Sequence, residues 1–235
     1  MKLSEEMKNK TLLSFELFPP KTEKGLQNLP GTIDHLMKYN PSYISCTYGA
    51  GGGNVGANRE VCQMIKNAGT TPVTHFTVIK NTKEGIKEQL DQYLADGVDH
   101  MLALRGDIPL GETTTCGDFD YATDLVKFVR DTYGDKFEIA VAGSPEGHIS
   151  CRSLESDIAV LKQKQDNGAD YIMTQLCWDM EQFKYWLDAI RKAGITMPVD
   201  VGVMPILDQA ATINMALSRN GCVMDRELSR MISRH

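Results

Sequence analysis

Short apolar runs alternate with longer amphipathic stretches along almost the whole chain. The runs are LLSFELF from Leu12, YISCTYG from Tyr43, PVTHFTVI from Pro72, HMLALRGD from His100, EIAVAGS from Glu138, YIMTQLCW from Tyr171 and PVDVGVMP from Pro198. They are rich in β-branched and aromatic residues and continuously apolar, the pattern of parallel strands buried on both faces. Between them, NREVCQMIKNAG, TKEGIKEQLDQYLADG and SLESDIAVLKQKQDNGAD repeat apolar residues at three- and four-residue steps. Each reaches a glycine before the next run, as a helix does at its C-terminus. Thr82, Asp118, Ser153 and Asp179 are the expected N-caps.

The strand–helix unit recurs about every 30 residues, the size of a βαβ building block. Seven units in series predict an α/β fold of the (β/α)8 TIM-barrel type rather than a doubly wound sheet. After the seventh run come DQAATINMALSRN and DRELSRMISRH, both helical in pattern, so the barrel reads as short of its eighth strand. No linker or low-complexity tract interrupts residues 1–235, and a single barrel domain is expected.

Composition narrows the function. The 235 residues are 42% hydrophobic and 24% charged, ordinary for a globular protein, and the net charge of -6 argues against a nucleic-acid binder. The six cysteines, at 46, 62, 116, 151, 177 and 222, form no C-x-x-C pair, and no His stands at ligand spacing from one. Reduced thiols in a cytoplasmic protein without a metal site are expected. No apolar run approaches the roughly 20 residues of a membrane span, and MKLSEEMKNK lacks the apolar region of a secretory signal.

In a parallel barrel the chemistry sits at the C-terminal ends of the strands. Polar residues collect there: Glu16, then Thr47 and Tyr48, His75, Arg105 with Asp107, His148 in the loop after the fifth run, and Gln175. Glu16 lies among Phe15, Leu17 and Phe18, where desolvation should raise its pKa toward the range of a general acid. A strand-end Glu paired with a Lys or Arg is the competing reading. Leu104-Arg105-Gly106-Asp107 can hold a phosphate or ring carbonyl and orient a heterocycle, or can form a plain ion pair beside a turn glycine. His75, inside an apolar strand, is more often a core residue. Gly49 to Gly56 contains G-x-G-x-x-G, yet no acidic residue closes the next strand, which counts against a dinucleotide fingerprint.

Taken together, Phe15-Glu16-Leu17-Phe18-Pro19-Pro20-Lys21-Thr22, Thr47-Tyr48-Gly49-Ala50, Leu104-Arg105-Gly106-Asp107, Pro145-Glu146-Gly147-His148 and Thr174-Gln175 resemble the methylenetetrahydrofolate reductase family. The resemblance implies a barrel that binds FAD and passes hydride from a reduced donor, through the flavin, to the methylene carbon of the folate. It makes Glu16 the acid that protonates a folate nitrogen and Asp107 the carboxylate near flavin and folate. Gln175 then contacts folate and nicotinamide, and Thr47 stands close to the nicotinamide. Tyr48, Ala50, His75, Arg105, Gly106, Asp107, Tyr121, Ala122, His148, Asp157 and Lys164 match flavin-contacting positions. Departures from the family pattern are Ser144 in place of a tyrosine, Ile149-Ser150-Cys151 in place of Pro-Glu-Ala, and the missing eighth strand. The expected partners are a folate substrate, NAD(P)H or an electron-donating protein subunit, and further copies of the chain in an oligomer. The alternative is a flavin-carrying electron-transfer subunit that needs a partner to complete its site.

Overall fold

The computed structural model describes residues 2–20, 22–48, 55–108, 111–217, 224 and 226–234. Seven strands alternate with helices: β1 (Ser14–Leu17), β2 (Tyr43–Cys46), β3 (Thr71–Thr77), β4 (His100–Leu104), β5 (Glu138–Gly143), β6 (Tyr171–Thr174) and β7 (Val199–Asp200). They follow one another in chain order through a parallel sheet, and no eighth strand occurs among the described residues. The helices are α1 (Leu3–Met7), α2 (Glu23–Met37), α3 (Val55–Asn67), α4 (Lys83–Ala95), α5 (Ala122–Tyr133), α6 (Leu154–Asp166), α7 (Met180–Lys192), α8 (Gln209–Leu217) and α9 (Arg226–Arg234). This is an incomplete (β/α)8-type fold, as the periodicity predicts.

The chain divides into two compact units, one of Met1–Val141 with Asn167–Asp170 and one of Ala142–Asp166 with Tyr171–His235. In the first, parallel registers align Glu16 with Ser45, Ser45 with Val73, His75 with Leu102, and Thr77 with Leu104. Because side chains alternate along a strand, these residues share one face of the sheet. The opposite face carries Ile44, Cys46, Phe76, Met101 and Ala103, all nearly inaccessible, toward Val61, Ile65, Ile86, Leu90 and Tyr93 of α3 and α4. Phe76 packs between the rings of Tyr48 and Tyr93, with centroids 5.5 and 6.3 Å away.

The N-terminal end of this sheet is closed by charge. Glu138, at the start of β5, accepts hydrogen bonds from Leu3 N at 2.7 Å and Ser4 N at 2.8 Å, satisfying the first free amides of α1. His100 Nε2 stands 2.9 Å from Glu138 Oε2, close enough for an ion pair although its alignment falls short of a hydrogen bond. His100 Nδ1 is 2.6 Å from Asp99. Burial opposes the imidazolium, but the two carboxylates outweigh it and raise the His100 pKa to about 9. Burial likewise works against the Glu138 carboxylate, and the contacts from His100, Ser4 and Leu3 prevail, holding its pKa at about 2.

In the second unit, β6 pairs with β7, with Ile172 opposite Val199. Gly143 abuts Ile172 and the indole of Trp186, so closely that a Cβ there would lie 2.6 Å from Ile172 Cγ2 and 3.0 Å from the ring. Trp186 is fully buried. Two N-caps form as expected: Thr82 accepts from Gly85 N, and Asp179 from Glu181 N and Gln182 N. Ser153 Oγ also accepts from Ser156 N before α6. Asp118 does not cap α5. The cap position is Tyr121, and the Asp118 carboxylate instead accepts from Lys83 N in the first turn of α4, where a helix start offers free amides.

Candidate active site

Glu16 lies one residue before the end of β1, on the face of the sheet turned away from α3 and α4, in register with Ser45. Its side chain keeps 45% of its surface accessible. A carboxyl can be reached by solvent from one direction while protein surrounds it on the others, and that crowding weakens its hydration. Desolvation accordingly raises its pKa above the ordinary glutamic value. The paired-cation reading does not hold: among the described residues no Lys or Arg lies within 4 Å of it, and its nearest ionisable partner is His75 Nε2 at 3.5 Å.

His75 is 7% exposed, and burial lowers its pKa to about 4, so the imidazole is neutral at pH 7. Its Nε2 has no hydrogen-bond partner, nor do Ser45 Oγ and Thr77 Oγ1 on the same face. Three buried polar atoms left open on one face are the reverse of a finished core, which pairs such groups. His75 is thus not the satisfied core histidine that its apolar strand suggests.

The end of β2 is held by a residue that the sequence reading passed over. Asn58, in α3 and fully buried, donates through Nδ2 to Cys46 O at 3.0 Å and Thr47 O at 3.1 Å. Its Oδ1 accepts from Thr74 Oγ1 at 2.8 Å and Tyr93 OH at 2.7 Å. This network fixes the backbone that presents Thr47. The available signal was a lone amide among Val61, Cys62 and Ile65 on the apolar stripe of a helix. Tyr48 turns the other way: its ring is buried against Phe76, and its hydroxyl donates to Gln89 Oε1. Only its backbone is left to face a ligand on the Glu16 side. Ala50 and the glycines from 49 to 54 lie outside the described residues.

After β4 the chain turns at Gly106, whose φ of +86° is left-handed. A Cβ there would come within 3.1–3.2 Å of Ile79 and Thr77, so glycine is required both by the turn and by its approach to the end of β3. Arg105 Nε donates to Gly106 O at 3.2 Å. No ion pair joins Arg105 to Asp107 among the described residues, the Arg105 Nε going to Gly106 O instead, and Asp107 is exposed, so the structural-pair reading of this motif fails. Tyr121 presents a 62% exposed ring at the start of α5, beside Ala122.

The second unit carries its own group of predicted residues. His148 follows a turn closed by Gly147 N donating to Ser144 O at 2.9 Å. Its backbone N–H donates to Asp157 Oδ2 at 3.2 Å, and its Nδ1 accepts from Ser150 N at 3.2 Å. Asp157 thereby ties the divergent Ile149-Ser150-Cys151 loop to α6. Lys164 Nζ donates to Ala142 O at 3.0 Å, and desolvation lowers its pKa. Gln175 N donates to Gly143 O at 2.8 Å, while its side-chain oxygen accepts from Leu176 N.

Among the described residues no group of three His, Cys, Asp or Glu side chains could hold a metal, the five cysteines are free, and no helix is long and apolar enough to cross a membrane.

Comparison with known proteins adds the following. The family model for methylenetetrahydrofolate reductase matches residues 2–228. The chain is 38% identical over 219 residues to methylenetetrahydrofolate reductase (NADH) 1 of Arabidopsis thaliana, covering 88% of this chain and 37% of that protein. It is 34% identical over 202 residues to 5,10-methylenetetrahydrofolate reductase of Escherichia coli, covering 86% and 67%. The chain therefore spans little more than a third of the plant relative and two thirds of the bacterial one. Among solved structures, 2,3-dimethylmalate lyase superposes with a TM-score of 0.58 at 12% identity, over 99% of this chain and 91% of that one. Phosphonopyruvate hydrolase does so at 0.55 and 10% identity, over 98% and 81%. At such identities these two speak for the fold alone.

Proposed function

The chain belongs to the methylenetetrahydrofolate reductase family, and from that premise we propose that it reduces 5,10-methylenetetrahydrofolate to 5-methyltetrahydrofolate with FAD as cofactor. NADH, which the name of the Arabidopsis relative specifies, is the donor we carry over to this chain. The observation that carries the reading is Glu16, a desolvated carboxyl with a raised pKa and, among the described residues, no Lys or Arg beside it. It keeps a proton further up the pH scale than an ordinary glutamic acid, which is what an acid catalyst needs.

The residues present fit a flavin. Ser45 Oγ, His75 Nε2 and Thr77 Oγ1 are buried polar atoms in want of partners, and Gly106 lets the backbone turn tightly beside them. Bound FAD supplies hydride transfer, chemistry that amino-acid side chains lack. Arg105, His75, Gly106, Tyr121, Ala122, His148, Asp157, Lys164 and the Tyr48 backbone are assigned to holding it, and Ala50 takes the same assignment from the family pattern. Glu16 donates its proton to a folate nitrogen, opening the five-membered ring to an iminium. Asp107 stands as counter-charge to that cation. Thr47 and Gln175 are assigned to the nicotinamide and folate. A subunit that only relays electrons has no use for a poised proton donor, so the reductase reading is preferred to the carrier.

Glu16→Gln preserves shape but removes the transferable proton. Stopped-flow absorbance should show flavin reoxidation by methylenetetrahydrofolate slowed by at least about 100-fold, with flavin reduction by NADH changed by less than about tenfold. Equal slowing of both would indicate displaced flavin, and normal reoxidation would remove Glu16 from the reaction.

A further inference from the structure

We propose that His75 is a positioning residue for Glu16, the imidazole and the carboxyl forming one unit that holds a single transferable proton. The proposal deepens the role given to Glu16 and rests on that reading for its functional consequence; the pairing itself rests on geometry. Glu16 Oε2 and His75 Nε2 are 3.5 Å apart, just outside a good hydrogen bond of about 2.7–3.2 Å, and both lie on the same face of the sheet. The imidazole is 7% exposed, and its Nε2 is otherwise without a partner. A small rotation of the more accessible Glu16 side chain brings its O–H onto that nitrogen. One hydrogen bond then relieves the cost of an unpaired buried nitrogen and fixes the direction of the acid proton.

The surroundings decide which of the two atoms carries the proton. On β2 the neighbour is the hydroxyl of Ser45, with Cys46 on the far face. The Cys46 thiol stays protonated, its pKa pushed up by its hydrogen bond with Cys62 and by burial. β3 adds the Thr77 hydroxyl, and β4 adds Leu102 and Leu104. Arg105, just past β4, turns its Nε back to Gly106 O. Among the described residues no further charge stabilises an imidazolium at His75, so the neutral arrangement is favoured, with the proton on Glu16 and Nε2 as acceptor. His100 shows the contrast: two carboxylates at 2.6 and 2.9 Å keep its ring charged. When Glu16 gives its proton to a substrate nitrogen, the unit is left as a carboxylate beside a neutral ring, with one negative charge. It then takes a proton back from solvent.

A coupled pair titrates in two steps that belong to the pair. The test follows the 15N shift of His75 Nε2 and the 13C shift of the Glu16 carboxyl against pH, on the full chain as purified. In the wild type both nuclei should report the same two midpoints. Glu16→Gln should abolish the upper step in the imidazole signal. His75→Gln, which can hydrogen-bond but not titrate, should leave Glu16 a single step moved by at least about one pH unit. A His75 curve in Glu16→Gln that superposes on the wild type, or a Glu16 curve unmoved by His75→Gln, overturns the pairing. In the folate half-reaction of flavin-saturated enzyme the pH above which the rate falls should move in His75→Gln by more than any shift in the donor half-reaction. Equal shifts of both profiles would make His75 a flavin contact only and overturn the positioning role. If the wild type does not reduce methylenetetrahydrofolate, the proposed function fails, and the titration still decides the pair.

Discussion

Replacing Glu138 with Gln should cost about 3 kcal/mol of stability near pH 5.5. The carboxylate is 3% exposed, so solvent screens little of what is lost. Its pKa falls from 4.5 to about 2 on folding, while that of His100 rises from 6.5 to about 9. At about 1.36 kcal/mol per unit, either shift corresponds to about 3 kcal/mol. Much of both is one interaction seen from its two ends, so it is counted once. The amide keeps one oxygen for Leu3 N or Ser4 N, but its NH2 faces the other donor and the His100 ring. Breaking one side of a buried pair costs about 3–5 kcal/mol in other proteins, which brackets the figure.

The pH dependence gives the prediction its edge. The Glu138 contribution, from a depressed pKa, is present above pH 4.5 and lost as pH falls through about 2. The His100 contribution, from a raised pKa, is full below pH 6.5 and lost as pH rises through about 9. The gap between wild type and variant should therefore be widest between pH 4.5 and 6.5 and should narrow toward pH 9.5. It should not close there, because Leu3 N and Ser4 N still bind the carboxylate. Urea unfolding followed by far-ultraviolet circular dichroism at pH 5.5 and 9.5 measures both. A loss below about 1 kcal/mol at pH 5.5, the value of an exposed pair, refutes the reasoning, as does a gap equal at the two pH values.

Three further outcomes are expected. Gly143→Ala should destabilise by about 1–3 kcal/mol, because the new methyl meets Ile172 and the Trp186 indole; an unchanged melting temperature and tryptophan spectrum would show that the neighbours yield freely. Asp107→Asn should lower folate reduction and shift the flavin potential upward, since the anion assigned to the flavin and folate site would no longer oppose electron uptake; redox titration and turnover check it, and no change in either would remove Asp107 from the site. Lys164→Glu, which places a negative charge where a cation is assigned to the flavin diphosphate, should leave less FAD bound after gel filtration, and wild-type retention would contradict that placement.

Much of the fold was legible because burial writes itself into composition. Strands covered on both faces leave unbroken apolar runs, and helices bounded by Thr82 or Asp179 announce their starts with oxygen atoms that the first amides need. The misses have a common cause. Helix α1, only five residues long, has too few turns to be stable alone and exists because Glu138 receives its amides from 135 residues away. The run from Pro198 was read as a full strand, yet only Val199–Asp200 pair. Beyond them Gly202 N donates to the Thr174 hydroxyl, and Val203 is 74% exposed. Asn58 left only a faint signal, a lone amide on an apolar helix stripe, because its partners at the end of β2, on β3 and on α4 come from distant segments. Glu16 and His75 were each legible; that they meet is a matter of register, which no single segment contains.

The unit of Met1–Val141 with Asn167–Asp170 divides its polar chemistry between the two ends of its strands. At the N-terminal end the charges are matched: Glu138 with His100 and the α1 amides, and Asp170 with Arg130 at 2.7 Å and Ile139 N at 2.8 Å. Toward the C-terminal ends, and among the described residues, Ser45, His75 and Thr77 bury polar atoms with no hydrogen-bond partner, and Glu16 carries a carboxyl without a Lys or Arg. Each open donor or acceptor of this kind costs about 1–3 kcal/mol, an expense that a folded chain does not bear for packing alone. The same residue types, His and Glu, thus serve opposite ends. Paired at close range with carboxylates and backbone amides they hold the fold; beside unpaired hydrogen-bonding atoms burial shifts both toward their neutral forms, which is what the proposed acid role of Glu16 needs.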